Sequence, residues 1–173
     1  LLLFPGIALF FAILSPITAK YMNEILELVL GAEGISLSLG TVTVLDSYIQ
    51  YIGNLNEIFF IVTIFVSVSI FMKEKNKGEL PLVLSKPVNR TYFLLSKFFA
   101  LIIVLLLSLL IGGIVFSYYT YLLFGTVDVL ITMYLSLLFL LYTMFIMSIS
   151  VVFSVLTNSY AAASILTFVG YII

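Results

Sequence analysis

The sequence predicts an all-α protein, a polytopic bundle of transmembrane helices. Three observations carry that expectation. First, 64% of the 173 residues are hydrophobic and only 9% are charged, whereas a soluble domain carries roughly 25% charge. Second, the apolar runs are continuous rather than alternating, which selects helices over the strands of a membrane barrel. Third, the charges are segregated. Residues 73–97 hold six basic residues against Glu74 and Glu79, a net of +4, while residues 19–57 hold only Lys20 against five acids, a net of −4.

Residues 1–18 form the first span. Pro5 and Gly6 sit early in it, and Pro16 marks its expected end. Residues 19–45 follow as an outer amphipathic segment. Over Tyr21 to Leu30, Met22, Ile25, Leu26 and Val29 fall on one side of a helix and Asn23, Glu24 and Glu27 on the other. That pattern suits a helix lying in the membrane interface, either as a lid or lateral gate or simply packing the segment down. Gly31, Gly34 and Gly40 mark an irregular passage beyond it.

The second span covers residues 46–72. Its uncharged part, Ile58 to Met72, is short for a crossing, which needs about 20 residues. The helix is therefore extended back to Asp46, with Tyr48, Tyr51 and Glu57 expected at the outer interface. Residues 98–121 form the third span, ending in an aromatic cluster of Tyr118, Tyr119 and Tyr121. The fourth is 129–156. From Val129 onward the chain has 45 residues without a charge, which as one helix would run roughly 67 Å. It must turn back, and Thr157, Asn158 and Ser159 are the turn-forming residues in the right place. Residues 160–173 then begin a fifth span. Leu1 and Ile173 each lie inside an apolar run, so the sequence reads as a fragment of a longer chain. A signal peptide is disfavoured, since residues 1–19 have neither a basic start nor a small-residue cleavage site.

Basic residues in short loops stay on the cytoplasmic side. Residues 73–97 are thus expected inside the cell and residues 19–57 outside. The basic loop also holds an apolar centre, Leu80, Leu82, Val83 and Leu84, with Pro81 and Pro87. A plain hairpin connection would be polar throughout, so a docking role on anionic lipid or in a partner's groove is expected. Lys97 opens the third span and reads as an interface anchor.

Several chemistries are excluded by composition. There is no cysteine and no histidine, hence no thiolate or imidazole metal ligand and no imidazole base. No phosphate-binding loop is present. Each span reads as free of charge in its interior, which disfavours a carrier driven through intramembrane carboxylates. Ser67, Ser69, Ser108, Ser117, Ser136, Thr143, Ser148, Ser150 and Ser154 lie within spans and are read chiefly as packing residues.

At the basic loop the chain resembles a known family. Glu74-x-x-x-Gly78-x-Leu80, then Leu84-Ser85-x-Pro87-Val88-x-Arg90, then Phe93 and Lys97, is similar to the signature of ABC-2-type transporter permeases. Ser15 to Tyr21, Glu24-Ile25-Leu26 and Tyr48 to Asn54 resemble the family's outer layout, while Glu79, Pro81 and Asn89 depart from the usual pattern. The resemblance implies six membrane helices in the whole permease, a second permease copy, and a separate ATP-binding cassette ATPase subunit. It implies further that residues 73–97 carry the coupling element that rests on that ATPase. Glu74, Gly78, Leu80, Leu84, Ser85, Pro87 and Arg90 would then be docking residues. ATP and magnesium would belong to the partner, no cofactor or catalytic residue to this chain, and no nucleic acid is expected. The function so implied is export of an unidentified substrate across the cell (plasma) membrane. A membrane-embedded anchoring or assembly protein that recruits a cytoplasmic partner without transport is the alternative.

Overall fold

A computed structural model describes residues 2–30, 40–76 and 90–172. Every element among them is helical: α1 (Leu3–Lys20), α2 (Met22–Leu30), α3 (Val44–Asn76), α4 (Arg90–Phe124), α5 (Val129–Leu156) and α6 (Tyr160–Ile172). Four of these, α1, α3, α4 and α5, are long and apolar enough to cross a membrane, while α6 is a shorter apolar helix. α3 is the central helix, flanked by α1, α4, α5 and α6. One end of the bundle, where α3 finishes and α4 starts, carries Lys73 and Lys97 and is called the basic end below. The acidic end carries Glu24, Glu27, Asp46 and Asp128.

In lipid, helices gain little from burying apolar surface, so close packing of small residues holds them together. α1 presents Ala8, Ala12, Ser15 and Ala19 in one buried line. It packs on α4 around Gly112, where an added methyl would stand 3.1 Å from Ala8 Cβ and 3.0 Å from Tyr51 Oη. Gly113 similarly admits Ser136 of α5, whose Oγ would be 3.2 Å from such a methyl. On α5, Ser136, Thr143 and Ser150 recur every seven residues on the buried face, the repeat of a left-handed helix pair. Their hydroxyls donate to carbonyls of their own helix, Thr132 O at 2.9 Å, Phe139 O at 3.1 Å and Ile146 O at 3.0 Å. α6 is clasped to α5 by a 2.8 Å hydrogen bond between the Tyr142 and Tyr171 hydroxyls, and Tyr171 packs on Phe60 of α3 with ring centroids 4.5 Å apart.

The helix ends follow local rules. Asp46 reaches back to Thr43 at the start of α3: its Oδ2 accepts from Thr43 N at 2.7 Å and from Thr43 Oγ1 at 2.9 Å, the acidic half of a capping box. Asp128 caps α5, its Oδ1 accepting from Leu130 N and Ile131 N. α4 stops at Gly125, whose φ of +76° lies in the left-handed region and whose N–H reaches Tyr121 O at 2.8 Å.

Two expectations require correction. Pro16 does not end α1, which continues one turn to Lys20. A proline removes one backbone bond, here to Ala12 O, while the turn around it is held by Thr18 Oγ1, which donates to Leu14 O and Ser15 O, and by the Asn54 amide on Ser15 Oγ at 2.9 Å. Such neighbours let membrane helices tolerate proline. Next, Tyr48 and Tyr51 face the bundle interior instead of its surface. They are 7% and 2% exposed, and Tyr51 stacks on Phe116 with centroids 4.3 Å apart at 17°, worth about 1 kcal/mol beyond its burial. α2 keeps the expected amphipathic spacing: Met22, Ile25, Leu26 and Val29 follow at three- and four-residue steps on one side of the helix, Met22 and Leu26 half-buried and Ile25 and Val29 exposed.

Candidate functional site: the α3–α4 hairpin

α3 and α4 run antiparallel in a single register. Ser47 Oγ lies 3.3 Å from Thr120 Oγ1 near the acidic end. Tyr51 stacks on Phe116 one turn deeper. At the far end, Lys97 Nζ donates to Ile70 O at 3.3 Å. That register brings Asn76 and Arg90, the two helix ends, level with each other. Both arms prolong past the Lys97–Ile70 tie, α3 by six residues and α4 by seven, roughly 10 Å of rigid helix.

Lys97 is therefore more than a head-group anchor. Its ammonium captures a carbonyl of the neighbouring helix and also stands 4.7 Å from the centroid of the Phe93 ring, a cation–π geometry. Beyond it, Tyr92, Leu94 and Leu95 are exposed. Of the residues singled out in the basic loop, Glu74 falls in the last turn of α3 and Arg90 is the first residue of α4. Gly78, Leu80, Leu84, Ser85 and Pro87 lie outside the described residues. The stretch Arg90 to Lys97, read from the sequence as the end of the loop, is part of α4.

The acidic end is closed by contacts that no local pattern announces. Lys20 Nζ donates to Leu123 O, placing a cation on the carbonyl end of α4, where the helix dipole favours it. Tyr48 Oη donates to Asp128 O at 3.0 Å and accepts from Asp128 N at 3.1 Å. The bonds join α1 to α4 and α3 to the start of α5. The only hint in the sequence is a tyrosine within an otherwise apolar helix face. Beside this latch an open apolar hollow of about 890 Å³ separates the first turns of α3 from residues 126–135. A smaller one, about 330 Å³, lies between Ala19, Met22, residues 40–42 and the α3 residues Asp46, Ile49 and Gln50. Among the described residues there is no group of three or more acidic, His or Cys side chains fit to hold a metal.

Long apolar helices with level, tied hairpin arms define a multi-pass membrane protein. The model of the ABC-2 family transporter proteins matches residues 2–173, and the chain belongs to that family. It is accordingly a membrane permease subunit of an ABC transporter, and the family's general partner is an ABC ATPase. No curated protein and no solved structure matches the chain.

Proposed function

We propose that the chain is the permease of an ATP-driven exporter, coupled to a separate ATPase subunit through residues 73–97. The observation that carries this reading is the α3–α4 hairpin. Its two arms are tied at Lys97, project together beyond that tie, and hold the basic connection between level ends. A push on the connection is delivered to two full-length helices at once. The surplus of basic residues at this end sets it in the cytoplasm, the compartment where ATP is hydrolysed. A second permease copy, identical or similar, completes the transporter in the cell (plasma) membrane.

The test is co-purification. The full-length protein, withdrawn from membranes in mild detergent, brings a nucleotide-binding ATPase with it. A preparation that retains its fold and carries no such subunit would instead support the anchoring alternative.

A further inference from the structure

The register of the α3–α4 hairpin changes the position of Glu57. Ser47–Thr120, Tyr51–Phe116 and Ile70–Lys97 pair in one continuous alignment, which sets Glu57 level with Leu110. Leu110 stands 13 residues inward of Lys97, roughly 20 Å along α4, within an uncharged run that reaches from Phe98 to Val127. The hydrocarbon core is ~30 Å thick. Glu57 is thus at hydrocarbon depth, and its side chain is exposed on the bundle.

It does not stand alone. Asp46, Gln50, Gly53 and Glu57 recur at four-, three- and four-residue steps on one face of α3. A side chain added at Gly53 would meet open space. The stripe runs into the hollow of about 330 Å³ at the acidic end, whose wall includes Asp46 and Gln50. Asn23 donates to Gly40 O on the same hollow, and its enclosed Oδ1 has no hydrogen-bond partner among the described residues. In the other direction the same face of α3 turns apolar at Ile64 and Val68, which pack against Ala163 of α6. The described part of α6 thus packs on this face of α3 below Glu57.

A carboxylate at this depth costs about 3 kcal/mol or more unless water or a cation meets it. Cations of the described residues do not reach it: Lys20 is bound at Leu123 O near the acidic end, and Lys73 and Lys97 lie at the basic end. We propose that the stripe Asp46–Gln50–Gly53–Glu57 lines a hydrated path through the bilayer, and that Glu57 contacts a positively charged group of the substrate travelling along it. The proposal rests on the permease reading and adds the path-lining face and the charge class of the substrate.

The 173 residues hold no native cysteine, and single cysteines, placed in a full-length chain with any cysteine elsewhere replaced, test the path directly. Gly53→Cys and Glu57→Cys are compared with Leu110→Cys and Ile114→Cys, which occupy matched depths on the exposed side of α4. A membrane-impermeant charged methanethiosulfonate reacts only with hydrated thiolate, and lipid suppresses ionisation. Residues 53 and 57 should react on the order of 100-fold faster than 110 and 114. In Gly53→Cys, a cationic reagent should outpace an anionic one by about ten-fold after normalisation to a free thiol, and Glu57→Gln should abolish that preference. Equal, slow reaction at all four positions, whether lipid or protein covers the stripe, overturns the path. A preference that survives Glu57→Gln overturns the role of Glu57. Labelling needs neither nucleotide nor partner. A pull-down without an ATPase therefore defeats the permease reading and leaves these rates as they are.

Discussion

Single residues fix the ends of this bundle. Lys97 joins α4 to α3 through Ile70 O, and a hydrogen bond from a charged group contributes about 1.5–3 kcal/mol. Lys97→Met is expected to lower the thermal midpoint of the purified protein while leaving membrane insertion intact. Lys97→Arg, which can still donate, should recover most of the loss. Gly125 sits at φ +76° where α4 stops, a conformation that costs a β-branched side chain about 1–3 kcal/mol. Gly125→Val should therefore destabilise the protein despite the open space around the site, whereas Gly125→Asn should be milder. Roles of this kind were only partly legible in the sequence. Lys97 stood out because it borders an uncharged run, yet its partner lies 27 residues away. The inward orientation of Tyr48 and Tyr51 is not legible, because nothing near a tyrosine at the end of an apolar run announces that Phe116, on another helix, covers it.

At the scale of elements, α3 and α4 form the unit that matters most. Uncharged runs and turn residues made the helices visible, since nothing but a helix satisfies the backbone in lipid. Their ends were less visible. Polar residues at a membrane surface neither extend nor stop a helix by composition alone, and α3 and α4 both run further toward the basic loop than their apolar content indicates. Register was not legible at all. Consequently Glu57, placed by composition at the outer edge of a span, falls at the level of Leu110 once Ser47–Thr120 and Ile70–Lys97 define the alignment. That register is open to a direct check. A Ser47→Cys/Thr120→Cys pair should form a disulfide under mild oxidation, and Ser47→Cys/Phe124→Cys, one turn out of register, should not. Close packing at Gly112 belongs to the same scale. Gly112→Leu would drive a side chain into Ala8 and Tyr51 and should cost about 1–3 kcal/mol, read as reduced yield and a lower thermal midpoint.

For the whole molecule, charge asymmetry and the hairpin point the same way. Residues 73–97 carry a net +4 and residues 19–57 a net −4, so a cysteine at Asn76 should be shielded from an external impermeant reagent in intact cells and become accessible after permeabilisation. Labelling from outside would invert the topology and remove the basic loop from the compartment of ATP. The family match over residues 2–173 makes the chain a transporter permease. Its coupling to an ATPase through the loop is the central claim, and it depends on residues 73–97 as a surface rather than on any single bond. A charged residue in place of Leu84 or Pro87 should uncouple transport from ATP hydrolysis without preventing insertion.

Site-specific cross-linking tests that claim most directly. A photoreactive amino acid replaces Leu84 in the full-length chain, and another replaces Thr126 at the opposite end as the comparison. On irradiation in native membranes, position 84 should give a covalent adduct with a nucleotide-binding ATPase subunit, and position 126 should give none. An ATPase adduct from position 126 but not from 84, or from neither, would contradict the account.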